Sequence, residues 1–247
     1  MQREPLQAAQ HALTDGARAA GMPAARRGRA LTVVPGFDPT LLLWLNLVGT
    51  FVFGLSGGLA AVRARLDAFG VVVLAAVVGL AGGIIRDLLI GTPPETFRDW
   101  RYLAAVGAAG LVSFFAGSAL DRIQRGVLVF DAVGLAVFCV SGASKATDFG
   151  LGPAQAIILG AITGIGGGML RDVLLRETPT VLRQELYAIP ALLGASVVVG
   201  AHAAGSLSPV FAILGACLCF ATRMIGVRYG IDAPTAPIER RRRRSTD

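Results

Sequence analysis

Long apolar segments with few charged side chains follow one another along this chain, and they constrain its fold more than any other feature. A helix needs about 20 mostly apolar residues to cross the hydrocarbon core of a bilayer. Hydrophobic residues make up 54% of the chain and charged residues only 16%, which is unusual for a soluble domain. Five segments have the required length, namely residues 40–62, 68–90, 102–120, 126–144 and 149–170. The sequence therefore predicts an integral membrane protein with several spanning helices.

The segment 186–222 contains no Asp, Glu, Lys or Arg, and it is too long for a single crossing. As one helix it would be on the order of 55 Å long, whereas the hydrocarbon core is about 30 Å thick. The turn-forming residues 205–209 divide it into two spans. We therefore predict an all-α membrane protein with seven transmembrane helices.

A glycine-rich motif occurs twice, at residues 79–87 and again at residues 164–172. The copies end in the pairs Arg86-Asp87 and Arg171-Asp172, which are 171 − 86 = 85 residues apart. The same register continues without a gap outside the motif. It aligns Gly49 with Gly134, Phe53 with Phe138, Ser56 with Ser141, Pro94 with Pro179 and Arg98 with Arg183. Chance similarity of two apolar segments would not readily place these residues in one register, so the chain contains an internal repeat.

Each copy of the repeat contains three predicted spans, so the second copy must enter the membrane from the side opposite to the first. We predict two inverted three-helix repeats, at about residues 40–120 and 126–204, and a seventh helix at about 208–226. Inverted repeats are typical of transporters and related permeation proteins, in which the path lies at the repeat interface. The membrane domain is predicted to span residues 39–228, between disordered tails at 1–38 and 229–247.

Basic residues give the chain a net charge of +7 and a pI near 10.3, and they lie in the two tails and in short loops. Positive-inside anchoring explains this distribution better than a nucleic-acid-binding face, so we expect no nucleic-acid partner. The loops on the C-terminal side contain Arg63, Arg65, Arg122, Arg125, Arg176 and Arg183, and the opposite loops contain only Arg98, Arg101 and Lys145. This difference favours a cytoplasmic C-terminus.

The residues that enzymes and metal sites require are scarce. The histidines are His11 and His202, and the cysteines Cys139, Cys217 and Cys219 all lie in apolar segments. The sequence has no nucleophile motif and no pair of catalytic acids in one span. We therefore expect neither an enzyme nor a bound metal or cofactor.

Glycines cluster near the middle of the second and fifth predicted helices, and the candidates are Gly82, Gly83, Gly166, Gly167 and Gly168. Glycine costs roughly 1 kcal/mol in a helix interior relative to alanine. One interpretation is that both helices kink or unwind there, so that freed carbonyl groups replace part of a cation's hydration shell. The other is that small residues let helix backbones approach closely. The two interpretations are compatible.

Polar and charged residues inside the spans are the other candidates for a pathway or a gate: Arg86, Asp87, Arg171, Asp172, Asn46, Asp131, Lys145, Ser56 and Ser141. Adjacent helical residues point in different directions, so we expect each Arg to pair with a group other than its neighbouring Asp. These pairs form either a structural ion network or part of the pathway. Asp131 aligns with Asn46 and either lines a vestibule or reaches the headgroups. Lys145 is either a voltage-responsive charge or a snorkelling anchor.

At the paired Gly-Gly-x-x-Arg-Asp motifs, the chain resembles the bacterial branch of the trimeric intracellular cation (TRIC) channels, a family also catalogued under a glycine-transporter-like domain name. The resemblance covers about residues 40–228. The second copy, residues 163–172, is similar to the family pattern, whereas Ala81 in the first copy replaces a usual glycine. The resemblance implies a homotrimer in the plasma membrane with one pore for monovalent cations, chiefly potassium, in each seven-helix protomer.

The resemblance also implies a path lined by the first, second, fourth and fifth helices, with breaks at the glycines named above and a gating lysine at Lys145. A passive potassium channel is thus the leading hypothesis. A secondary transporter for a small solute such as glycine is the main alternative, because inverted repeats serve both. A third hypothesis is a non-conducting scaffold, in which the glycines only pack helices.

Overall fold

The computed structural model describes residues 39–116, 120–183, 187–206 and 208–230 of the chain. The predicted N-terminal tail and nearly all of the predicted C-terminal tail lie outside these residues. The described part is helical, and a short 3-10 turn spans Glu95–Phe97. Its helices are α1 (Pro39–Arg63), α2 (Ala68–Ile90), α3 (Trp100–Ala116), α4 (Leu120–Asp148), α5 (Pro153–Leu174), α6 (Thr180–Arg183), α7 (Ala188–Ala203) and α8 (Pro209–Tyr229).

Five helices, α1, α2, α4, α5 and α8, are long and apolar enough to cross a membrane. The apolar helices α3 and α7 are shorter, with 17 and 16 residues. At 1.5 Å per residue, each is roughly 25 Å long. The prediction of an all-α membrane protein is confirmed, while the count of seven crossings stays a proposal.

Capping residues set the ends of α2 and α8. The Asp67 carboxylate accepts a hydrogen bond from the backbone N–H of Gly70 at 2.7 Å and so begins α2. Gly91 ends this helix with φ of 81°, a left-handed conformation that glycine adopts without strain. At the start of α8, the Ser208 hydroxyl accepts from the N–H of Val210, and Pro209 occupies the first helical position.

Asp67→Ala is expected to destabilise the protein by about 1 kcal/mol, because the first turn of α2 loses the acceptor for an N–H group. Thermal unfolding of the detergent-purified protein measures the effect. Asp67→Asn is the matched control, since asparagine also caps helices well and should leave the midpoint nearly unchanged. Equal losses in both variants would contradict the capping role.

Helices α1 and α4 pack side by side in opposite directions. Gly49 of α1 lies against Phe138 of α4, and Gly134 of α4 lies against Phe53 of α1. The rings of Phe53 and Phe138 stack at the centre of the contact, with centroids 5.4 Å apart. The repeat offset turns the contact of Gly49 with Phe138 into the contact of Gly134 with Phe53. The two halves of the chain therefore contact each other through equivalent residues.

Helices α2 and α5 meet with the same reciprocity. Gly82 of α2 lies against the carbonyl group of Thr163 in α5, and Gly167 of α5 lies against the carbonyl group of Val78 in α2. Helices α7 and α8 pack together and against α4, and α3 packs against α1 and α2. The repeated motifs of α2 and α5 thus meet inside a bundle whose core includes Val78, Leu135 and Phe138.

Candidate functional site

The Arg-Asp pair of α2 lies at the centre of a buried polar cluster. The Arg86 guanidinium donates to the Asp87 carboxylate at 2.8 Å and to the Asn46 amide oxygen at 3.3 Å. The other carboxylate oxygen of Asp87 accepts from the backbone N–H of Glu95 at 3.0 Å. Arg86 and Asp87 are only 2% and 1% exposed. Buried charges of this kind are stable only when paired, and here both are.

The Arg-Asp pair of α5 forms an equivalent cluster. The Arg171 guanidinium donates to Asp172 at 2.8 Å and to Asp131 at 2.7 Å. The second Asp172 carboxylate oxygen accepts from the backbone N–H of Thr180 at 2.7 Å. Asp131 replaces Asn46 and Thr180 replaces Glu95 at the repeat offset. The two clusters therefore have equivalent hydrogen bonds at repeat-equivalent positions, although some of the residues at those positions differ.

We expected each arginine to pair with a group other than its neighbouring aspartate, and each does so, Arg86 with Asn46 and Arg171 with Asp131. The expectation is wrong in that each arginine also pairs with the neighbouring aspartate. In both clusters the guanidinium lies 2.8 Å from the adjacent carboxylate. The Cβ atoms point in different directions, but the arginine side chain is long enough to turn back to its neighbour. Arg171 also links the two repeats, because the Ser56 hydroxyl of α1 accepts from Arg171 of α5 at 2.7 Å.

Lys145 makes the clearest difference between the two clusters. Its ammonium lies 2.9 Å from the Asp87 carboxylate and 2.6 Å from the Glu95 carboxylate. Ala60 holds the equivalent position at the other end, so that position offers no ammonium to Asp172. Lys145 is thus paired with two acids, and its side chain is 14% exposed. Its movement in response to voltage stays a prediction.

The remaining polar candidates are buried. Asp131 is 2% exposed and lies against Arg171. Each cluster has a cavity beside it, and Asp131 is not among the lining residues of either cavity. The Ser56 hydroxyl donates to the carbonyl group of Val127 at 3.3 Å, and the Ser141 hydroxyl donates to that of Phe138 at 3.5 Å. The vestibule role of Asp131 therefore stays a prediction, and the structure gives this carboxylate a place in the second cluster.

Two tyrosines, one glutamate and one arginine belong to the site although the sequence motifs do not include them. The Tyr102 hydroxyl donates to Glu95, and the Tyr187 hydroxyl donates to Asp131, both at 3.1 Å. The two tyrosines are equivalent at the repeat offset, so the alignment of the two repeats could have identified them as a pair. The Arg223 guanidinium of α8 lies 4.4 Å from the centre of the Tyr187 ring.

A cavity lies beside each cluster. The Lys145 cavity, of about 310 Å³, is lined by Leu42, Leu43, Asn46, Glu95, Ser141, Lys145, Asp148 and Phe149. The Arg63 cavity, of about 220 Å³, is lined by Ala60, Arg63, Ala64, Val127, Leu128, Arg171, Asp172, Leu175, Glu177 and Thr180. Six lining positions of the first cavity become lining positions of the second at the repeat offset. The cavities thus occupy equivalent places at opposite ends of α1.

The predicted unwinding of the glycine-rich helices is not found. Helices α2 and α5 continue through their glycines to Ile90 and Leu174. The glycines instead permit close approach, since a Cβ atom on Gly167 would lie 2.5 Å from the Val78 carbonyl oxygen. The close-packing interpretation explains these contacts.

A family model described as "Glycine transporter" matches the chain twice, at residues 43–118 and 128–203. The two matched segments are offset by the spacing of the internal repeat. A membrane protein of Streptomyces coelicolor is 50% identical over 202 residues, which cover 81% of this chain and 93% of the relative. The inner membrane protein YadS of Escherichia coli K12 is 36% identical over 202 residues, covering 81% and 98%.

Solved structures of TRIC channels share the fold. The TRIC trimeric intracellular cation channel orthologue from Rhodobacter sphaeroides matches with a TM-score of 0.73 and 39% identity, covering 78% of this chain and 100% of that one. The chain belongs to the bacterial TRIC channel family. A second prokaryotic TRIC channel matches with a TM-score of 0.73 and 35% identity, covering 79% and 100%. Since its TRIC neighbours are channels, this TRIC family member is a multi-pass membrane protein and not an enzyme.

Proposed function

We propose that the protein is a potassium-permeable cation channel with an ion path through each protomer between α1, α2, α4 and α5. The observation that carries this proposal is the pair of cavities at repeat-equivalent positions, each lined in part by charged residues and next to a buried Arg-Asp cluster. Leu42 and Ala60 line different cavities and are 18 residues apart on α1, which is roughly 27 Å along the helix axis. Similarity to TRIC cation channels supports the same function.

The architecture proposed for this channel is two inverted repeats with α8 as a seventh, additional span. The reciprocal contacts of α1 with α4 and of α2 with α5 support it, because an in-plane two-fold relation between repeats produces such contacts. The arginine-rich loops favour a cytoplasmic C-terminus in the plasma membrane. The similar protein from Rhodobacter sphaeroides is a trimeric intracellular cation channel orthologue, and we propose a homotrimer here as well.

The close contact between α2 and α5 is the proposed gate. Gly82 lies against the Thr163 carbonyl group and Gly167 against the Val78 carbonyl group, so these glycines let the two helices pack closely. We place this contact on the path between the two cavities. Potassium ions would pass when the two helices move apart at the glycines. In this proposal the gate is a movable contact between two continuous helices, and it does not require the unwound helices expected from the sequence. The permeant ion is the only small ligand that the proposed function requires.

The Lys145 cavity favours cations more than the Arg63 cavity does. Its charged lining residues are Glu95, Asp148 and Lys145, a net charge of −1. Arg63 replaces Asp148 at the repeat-equivalent position of the other cavity. An acidic mouth raises the local concentration of cations and lowers that of anions. Cations are therefore proposed to gather at the Asp148 end of the path.

Asp148→Asn is expected to lower the single-channel potassium conductance roughly twofold at low salt, because the mouth loses one attractive charge. The loss should disappear near 1 M KCl, where the Debye length is only about 3 Å. Recordings across a series of KCl concentrations measure the effect, with Asp67→Asn as a control acid far from the cavity. An equal reduction at every concentration would contradict an electrostatic role.

A secondary transporter for a small solute is the second candidate, and the description of the matching family model favours glycine. Planar-bilayer recording of the purified protein under a KCl gradient separates the two functions. Discrete currents that reverse near the potassium equilibrium potential support the channel. Well-folded protein that gives no current but saturable glycine uptake in liposomes would support the transporter and overturn the channel. Absence of both activities would leave the scaffold hypothesis.

A further inference from the structure

Gly83 and Gly168 are equivalent at the repeat offset, yet their surroundings differ. Both lie in the interior of their helices, at the end of the glycine cluster. Apart from its chain neighbours and its own helix backbone, a Cβ atom on Gly83 would meet no atom of the described residues within 4 Å, so this glycine borders open space inside the bundle. A Cβ atom on Gly168 would collide with the Tyr187 hydroxyl and lie 2.9 Å from the Asp131 carboxylate. The same position of the motif is thus open in α2 and filled in α5.

Tyr187 fills the space at Gly168, and two contacts hold it there. Its hydroxyl donates to Asp131, the carboxylate that also accepts from Arg171. Its ring lies under the guanidinium of Arg223, and a cation over an aromatic face is attracted by the ring electrons. The side chain is 1% exposed. Tyr187 is therefore fixed from one side by the second cluster and from the other by α8.

Tyr102, the repeat equivalent, leaves its glycine free. Its hydroxyl donates to Glu95, which lies after α2 and at the rim of the Lys145 cavity. No atom of Tyr102 lies within 4 Å of a Cβ on Gly83. Tyr102 thus matches Tyr187 in sequence register and in burial, but it does not fill the equivalent gap. This makes Tyr102 a matched reference for Tyr187.

We propose that Tyr187 is a plug that closes the α5 half of the ion path at Gly168, and that Arg223 of α8 positions it. The proposal rests on the proposed channel function and goes beyond the glycine gate. It gives α8, which belongs to neither repeat, a role in conduction. It also makes the two halves of the path unequal, with open space at Gly83 and a removable side chain at Gly168.

Tyr187→Phe tests the plug, because it removes the hydroxyl and its bond to Asp131 while keeping the ring. Single-channel recording in symmetric KCl should show about a fivefold rise in the ratio of open to closed time, the factor for one lost hydrogen bond. The reversal potential under a KCl gradient should not change. Tyr102→Phe loses an equivalent bond away from Gly83 and should keep the wild-type ratio.

Arg223 supplies a second test that does not depend on Tyr187 variants. Arg223→Gln removes the cation over the ring and should raise the ratio of open to closed time, as Tyr187→Phe does. Arg223→Lys keeps a cation there and should restore most of the closed time. Size-exclusion profiles and melting temperatures of all variants establish that each one is folded.

The outcomes separate this proposal from the channel function. Wild-type currents with unchanged gating in Tyr187→Phe and Arg223→Gln would overturn the plug and leave the channel standing. An equal rise in Tyr102→Phe would also overturn the plug, because the effect would then not be specific to Gly168. A silent, folded wild-type protein would overturn the channel and the plug together.

Discussion

Gly82→Ala is expected to lower the melting temperature of the purified protein, because a Cβ atom there would collide with the Thr163 carbonyl group. Forcing extra atoms into a packed contact costs about 1–3 kcal/mol. Alanine recovers part of that loss, since it favours helix by roughly 1 kcal/mol over glycine. A net destabilisation is expected because the obstruction is backbone of α5, which cannot move aside as a flexible side chain can.

The neighbouring glycine provides a control within the same helix. Gly83→Ala adds the same methyl group to α2 but meets no atom of the described residues within 4 Å, so it should keep or raise the melting temperature. Gly167→Ala should behave like Gly82→Ala, since its Cβ would lie 2.5 Å from the Val78 carbonyl oxygen. Similar melting temperatures for all three variants would show that α2 and α5 do not pack closely at these positions.

Arg171→Met is expected to destabilise the protein by about 3–5 kcal/mol, a larger loss than that expected for Gly82→Ala. The substitution removes the cation that contacts both Asp131 and Asp172. These carboxylates are 2% and 3% exposed, so water cannot replace the lost partner. Chemical or thermal unfolding in detergent, with yield after size exclusion, measures the loss.

A double variant tests whether the loss comes from unpaired charge. Asp131→Asn combined with Arg171→Met should recover part of the stability, because asparagine needs no cation and already stands at the equivalent Asn46. Arg101→Met is the surface control and should change little. The exposed Arg101 donates a hydrogen bond to Asp99 and so holds the pKa of that carboxyl below its usual range. A double variant no more stable than Arg171→Met would mean that lost packing dominates.

The five long apolar helices and the repeat could be predicted from the sequence, because both depend on patterns that local residues determine. A bilayer requires long apolar helices, and duplication leaves one constant offset, which the matched segments share. The Arg-Asp pairs were also evident from the sequence, because they are charged residues inside apolar segments and recur at that offset. Tyr102 and Tyr187 share that register but do not stand out, because a tyrosine in an apolar segment is as easily explained by packing.

Side-chain partners could not be read from the sequence, since they depend on helix rotation and on the reach of each side chain. The turn of each arginine towards its own neighbour is one example. Arg223 is another, because an arginine near the end of an apolar segment looks like an interfacial residue, whereas in the fold it is 1% exposed. Whether a glycine tolerates a larger side chain also depends on the neighbouring helix, since Gly82 lies against the Thr163 carbonyl group whereas Gly83 borders open space.

The reciprocal contacts of α1 with α4 bear on how this molecule arose. A surface on which Gly49 meets Phe138 while Gly134 meets Phe53 is self-complementary, which is what an isologous homodimer requires. In such a dimer, any substitution would appear twice, once at each end. Fusion of the two copies into one chain removes that restriction. Asp148 can then line one cavity and Arg63 the other, so that a symmetric frame carries two cavities with unlike charges.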